Sequence, residues 1–277
     1  MSHIKKDVPA VRQPAVAGMF YPADRDELLS VINQYLEQAT RKATTETSTA
    51  ATDFPKAIIA PHAGYIYSGP VAASVYACVA KGRDTIRRVV LLGPSHRVPF
   101  YGCAVSTADY FATPLGKIEL DTATIQHLLD KHWVKPLDQA HLMEHSLEVQ
   151  LPFLQVVLNE FRLIPIVVGD ASADEVSTVL QECWGGPETL IVISSDLSHY
   201  HDYQSARKID LATCHKIEDL DYASLSGNMA CGYIPVSGLL HLAQQRKMSV
   251  KTIDYRNSGD TAGPRDQVVG YGAYVIN

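Results

Sequence analysis

The sequence predicts an α/β fold: a single domain, residues 1–277, with a central, mainly parallel or mixed sheet between helix layers. Three observations predict it. Short, continuous apolar runs alternate with helical patterns, the signature of a sheet covered on both faces. Apolar residues make up 46% and charged residues 19% of the chain, which excludes a disordered or collagen-like polymer and permits a large core. At 277 residues the chain is within the range of one α/β domain, and it carries no internal repeat.

The elements follow in order. Residues 24–42 read as an amphipathic helix, with Leu28, Val31, Ile32, Tyr35, Leu36 and Ala39 at helical spacing and Asp24 and Glu27 as an N-terminal capping signal. Residues 43–53, rich in Thr and Ala, read as a flexible loop that comes too early to divide two full domains. Ala57–Ala60 is a short apolar strand, and Gly69-Pro70 opens a helix through Val71, Val75 and Val79. Further strands are expected at 88–92, 163–168 and 190–194. Helices are expected at 122–131, 146–158, 173–183, 203–220 and 235–246. The chain closes on two strand-like runs, 250–255 and 268–276.

Several function classes are disfavoured. Lys and Arg number 24 against 30 Asp and Glu, a net charge of −6, so a nucleic-acid footprint is not expected. No apolar run approaches the ~20 residues that span a bilayer, and the N-terminus lacks the apolar segment of a signal peptide. Five widely spaced cysteines without a C-x-x-C pair predict reduced thiols and a cytoplasmic protein. Phosphate-loop, dinucleotide, G-x-S-x-G and H-E-x-x-H motifs are absent.

Chemistry-bearing residues gather at strand ends. AIIA runs into Pro61-His62, VVLL into Gly93-Pro94-Ser95-His96, and LIVIS into Ser195-Asp196-Leu197-Ser198-His199. Ligands of open α/β sheets bind outside the carboxyl ends of the strands, so three imidazoles and one carboxylate would share one edge if these strands are parallel neighbours. A lone histidine after a strand is usually a loop or cap residue; three at three strand ends favour a site. The ordinary pKa of a histidine suits His199 as an acid/base, and Asp196 three residues earlier can orient it, raise its pKa, or hold the substrate. Cys231 lies at a loop-to-helix junction, either as a reactive thiol or as a small buried hydrophobe. Glu144 and His145 are candidates for a supporting shell or the pocket, and Asp260 lies in a polar turn that either reaches the pocket or is solvated. Cys78, Cys103, Cys183 and Cys214 read as structural.

Seven ordered stretches, RQPAVAGMFYP from Arg12, PHAGYIYSGP from Pro61, LLGPSH from Leu91, EHSLEVQLPF from Glu144, SSDLSHY from Ser194, NMACGY from Asn228 and NSGD from Asn257, resemble the Memo family. Its prokaryotic members are also termed AmmeMemoRadiSam system protein B. The resemblance implies a fold similar to the class III extradiol non-haem iron dioxygenases. It further implies a metal site of His62, His96 and Cys231, in which Cys replaces the carboxylate of those dioxygenases, with Asp196 and His199 beside the metal. Two imidazoles and a thiolate suit Fe(II) or Cu. The function so implied is redox metal chemistry on an unknown substrate. The alternative is a non-enzymatic module that captures a (phospho)peptide or small anion in the same pocket, since eukaryotic relatives are described as binding phosphotyrosine peptides. Ammecr-type and radical SAM proteins are the partners implied by family association.

Overall fold

The computed structural model describes residues 8–45 and 54–277. Its elements, in chain order, begin with β1 (Val11–Arg12), α1 (Arg25–Thr45), β2 (Ala57–Ala60), α2 (Tyr65–Val79), β3 (Arg88–Pro94) and β4 (Cys103–Val105). There follow β5 (Tyr110–Thr113), β6 (Gly116–Glu119), α3 (Thr122–Asp130), β7 (Val134–Pro136), α4 (Asp138–Leu142), α5 (Leu151–Val157) and β8 (Arg162–Val168). The chain ends with α6 (Ala173–Cys183), β9 (Thr189–Ser194), β10 (His199–His201), α7 (Tyr203–Glu218), α8 (Tyr233–Gln245), β11 (Val250–Asn257), α9 (Ser258–Thr261) and β12 (Val268–Ile276).

One large mixed sheet organises these elements, and β1, β5 and β6 form a small second sheet. At the centre of the large sheet, β2, β9, β3 and β8 run side by side and all parallel. β4 lies antiparallel against β8, and β7 extends the sheet parallel to β4. On the other side β12 is antiparallel to β2 and carries both β11 and β10. The four parallel strands are buried almost end to end, as expected where helices cover both faces. Helices α6 and α8 pack on each other, with α8 against β3 and β9; α1, α2 and α5 form a second group, with α2 against β2, β11 and β12. Among the described residues no helix is long and apolar enough to cross a membrane.

Local chemistry explains most boundaries. Asp24 caps α1, its Oδ1 accepting the Glu27 N–H at 2.9 Å, and Leu28 and Ile32 are fully buried. A reciprocal capping box between Ser172 and Glu175 opens α6 at the residue expected. Three expectations need correction. The first three residues of the expected 43–53 loop belong to α1, which runs to Thr45; residues 46–53 lie outside the described residues. The helix expected to open at Gly69-Pro70 starts five residues earlier, at Tyr65, with Pro70 inside it. Proline there removes the N–H that would bond the Ile66 carbonyl, but Ile66 is exposed, so water can replace that partner. The helix expected over 146–158 is a 3₁₀ turn at Glu148–Gln150 followed by α5. Ser146 stays outside because its N–H bonds the Glu144 carboxylate and its hydroxyl donates to the Pro94 carbonyl.

Candidate metal centre

The adjacency of β2, β9 and β3 settles the geometric question left by the sequence: His62, Asp196 and His96 follow neighbouring parallel strands and share one edge. The ligand atoms of His62, His96 and His145 all lie within 4.8 Å of one another, a group able to hold a metal ion. His145 stacks on His96 at 4.6 Å between centroids, and His62 meets both rings edge-on. His145, read from the sequence as a supporting residue, therefore lies at the centre of the cluster.

Hydrogen bonds assign the tautomer of His62. The Ser194 hydroxyl donates to the Ser146 carbonyl at 2.6 Å, so its only proton is engaged. It accepts from Gln150 Nε2 at 2.8 Å, and that amide is oriented by the Pro61 carbonyl and by the Tyr76 hydroxyl donating to Gln150 Oε1. The contact of 2.9 Å between His62 Nδ1 and Ser194 Oγ then requires Nδ1–H as donor. His62 Nε2 is left with a free lone pair, which faces Cys231 Sγ at 3.3 Å. Burial, followed by the charges of His96, His145 and His199, holds the His62 pKa well below the ordinary imidazole value, so the ring is neutral.

Glu144 does the same for His96. One carboxylate oxygen accepts the His96 backbone N–H at 2.6 Å; the other lies 2.9 Å from His96 Nδ1 and accepts the Ser146 N–H. Burial alone would raise the Glu144 pKa, but hydrogen bonds and charge from His96, with the backbone donors, bring it down to about 2. An ionised Glu144 can only accept, so His96 Nδ1 donates and Nε2 is the ring nitrogen left for a ligand. His145 is pushed down to about 4, first by burial and then by His96. Its Nδ1 is buried without a hydrogen-bond partner, 3.5 Å from Glu144 Oε1.

Cys231 is set against the end of β9 by backbone contact. The Cys231 N–H bonds the Asp196 carbonyl, the Asp196 N–H points at Cys231 Sγ at 3.3 Å, and Gly232 N–H donates to Ser195 Oγ. A Cβ on Gly232 would stand 2.7 Å from Ser195 Cβ, so only glycine lets α8 start this close to the strand. Burial and the Asp196 charge push the thiol up to about 12, so without a cation it is a thiol able to donate S–H to His62 Nε2.

The Asp196 carboxylate accepts the His62 backbone N–H at 2.7 Å, which fixes the loop bearing His62. Burial raises its pKa to about 7 against that bond. The expected lift of His199 by Asp196 is not found: the His199 pKa is lowered, first by burial and also by His96, against a bond to the Leu197 backbone. His199 begins β10 and pairs with Val269. Asp260 is not brought to the cluster. One of its oxygens accepts from the Tyr203 hydroxyl and the other from the Asn257 N–H, so it caps α9.

Sequence reading missed Ser194, Gln150 and Arg12. Arg12 Nε donates to the His141 carbonyl at 3.0 Å and Nη2 to the Glu144 carbonyl at 2.7 Å, while Nη1 pairs with Glu148. A hydroxyl ending an otherwise apolar strand was the available signal for Ser194. Exposed apolar side chains also stand near the site residues in the chain: Ile66 and Tyr67 in the first turn of α2 after His62, Tyr101 after His96, Leu142 and Met143 at the end of α4 before His145, and Tyr200 in β10 after His199.

A family model described as "Memo-like protein" matches residues 12–275. The chain is 38% identical to a MEMO1 family protein of Aquifex aeolicus over 272 residues, covering 94% of this chain and 97% of the relative. It is 34% identical over 281 residues to a MEMO1 family protein of Aeropyrum pernix, with 96% and 99% covered. A third MEMO1 family protein, from Saccharolobus islandicus, is 36% identical over 290 residues, with 94% and 97% covered. The seven motifs, the strand-end histidines they supply and these matches over nearly the whole length have one reading: the chain belongs to the Memo family.

Proposed function

We propose that this protein holds a redox metal, Fe(II) or Cu, at His62, His96 and Cys231 and applies it to a small-molecule substrate in a dioxygenase-like pocket. The observation that carries the reading is a pair of imidazoles whose Nδ1 atoms are engaged as donors, which leaves their Nε2 atoms for an ion, with the Cys231 thiol 3.3 Å from that of His62. Donors bound to one ion at about 2.1 and 2.3 Å, and subtending about 100°, stand about 3.4 Å apart. The 3.3 Å between His62 Nε2 and Cys231 Sγ fits that spacing. Nitrogen with sulfur suits Fe(II) and Cu, and the unpartnered His145 offers a further nitrogen.

When bound, such an ion supplies redox chemistry with dioxygen. The chain's own residues prepare the site. Glu144 and Ser194 fix the two imidazoles, Asp196 fixes the loop between β2 and α2, and His199 holds or moves a proton for the bound ligand. Cys231→Ser is expected to lower metal content sharply while the fold survives, and Cys78→Ser to leave it unchanged; metal analysis of the purified variants checks this. A Cys231→Ser variant with full metal content and affinity would remove the thiol from the site in favour of His145.

His199→Ala should keep its metal and lose roughly 10²–10⁴-fold in any metal-dependent oxygen turnover, the range for an acid/base. An oxygen electrode and metal analysis on one preparation separate the outcomes: metal loss would make His199 a ligand, and full turnover would leave it a structural role. One observation favours the second reading, peptide capture. Exposed apolar side chains, Ile66, Tyr67, Tyr101, Met143 and Tyr200, lie within a few residues of His62, His96, His145 and His199 in the chain, where a peptide-binding surface would use them. Metal-free protein that binds a phosphotyrosine peptide as tightly as metal-loaded protein would support it.

A further inference from the structure

A cavity of about 560 Å³ opens beside Cys231, between the loop after β3 and the start of α8. That size is ordinary for a small-molecule pocket, roughly 300–1,000 Å³. Val98, Phe100 and Tyr101 line it from the loop, and Tyr233 and Ile234 from the helix. Asp170, an exposed residue just past the end of β8, is the one acidic residue in the lining. Among the described residues that carboxylate has no hydrogen-bond or ionic partner.

The wall is held in place by backbone. Asp170 N–H donates to the Phe100 carbonyl at 2.8 Å, Gly102 N–H to the Asp170 carbonyl at 2.7 Å and Gly169 N–H to the Gly102 carbonyl at 2.9 Å. A Cβ on Gly169 would lie 2.1 Å from the Phe100 carbonyl oxygen, so the close approach requires glycine. Lys135 Nζ stands over the Phe100 ring, 5.3 Å from its centroid, so that face already holds a cation and Phe100 can offer a ligand only apolar contact.

We propose that this cavity binds an organic ammonium, an amine cation on an apolar body, with the charge at Asp170 and the body against Phe100, Tyr101 and Ile234. The identification of this ligand as the substrate rests on the metal-site reading, because Cys231 is both a cavity wall and a proposed donor. The binding itself does not depend on the metal.

The test uses the full chain, stripped of metal, at low ionic strength. Phenethylammonium and its neutral analogue 2-phenylethanol are titrated by ligand-observed NMR. The amine is expected to bind about tenfold tighter, the contribution of one hydrogen bond to a charged group. Asp170→Asn should erase that preference while keeping 2-phenylethanol binding. Ile234→Trp, which fills the cavity, should weaken both ligands; should it not fold, Tyr101→Ala at the exposed wall is expected to weaken both. Equal affinity of the two ligands for wild type, or a preference that survives in Asp170→Asn, would overturn the proposal. Metal content of the unstripped protein is measured in parallel. Metal bound without an amine preference sinks the ammonium site alone, and an amine preference without metal binding sinks the metal reading alone.

Discussion

Arg12→Ala is expected to destabilise the protein by about 3–5 kcal/mol, the usual cost of leaving a buried charge without its partner. Arg12 and Glu148 are 6% and 1% exposed. Glu148 also accepts the N–H groups of Ala15 and Val16 and the hydroxyl of Tyr21, so this one carboxylate fastens the 12–21 segment to the loop before α5. Losing the guanidinium removes the counter-charge and also frees the carbonyls of His141 and Glu144. The effect should reach the centre, because those carbonyls belong to the loop that presents Glu144 and His145. Urea denaturation measures the loss, which is a large fraction of a typical total stability of ~5–15 kcal/mol. Arg12→Lys should fall between the two, since it restores charge without the fork of donors. An Arg12→Ala variant within about 1 kcal/mol of wild type would show that the ion pair does not hold this segment.

His62→Ala is expected to have the largest effect on metal binding. Changing an outer partner such as Ser194 or Glu144 usually costs 10–100-fold in metal affinity. Removing His62 deletes a donor outright, so the loss should exceed 100-fold, and it should exceed that of Ser194→Ala measured beside it by competition with a chelator. Ser194→Ala keeps both nitrogens of His62 and loses the acceptor that fixes its tautomer, together with the hydroxyl's bonds to the Ser146 carbonyl and from Gln150. Equal losses in the two variants would mean that His62 acts through packing and not as a donor.

What the sequence revealed and what it hid follow from the range of the interactions. Continuous apolar runs ending in histidine marked β2, β3 and β9, because parallel strands buried on both faces leave a local, readable pattern. Their order was not local: β9 inserts between β2 and β3, and only that insertion brings Asp196 between His62 and His96. Arg12 is 136 residues from Glu148 and sits in a two-residue strand, so no window of sequence contains their pairing. Pro70 misled the reading of α2, because a proline inside a helix removes one donor and the helix continues past it here, at the turn that bears the exposed Ile66. Asp260 stayed open between a pocket residue and a solvated one, since the pattern of a polar turn does not separate a carboxylate that bonds the start of a helix from a functional one.

Metal analysis of the protein purified without oxygen and without chelator tests the central claim most directly. Wild type is expected to carry about one Fe or Cu per chain and His62→Ala, its fold verified by circular dichroism, almost none. A wild-type protein that carries no metal and takes up neither ion on addition, or a His62→Ala variant that keeps the full complement, would contradict it.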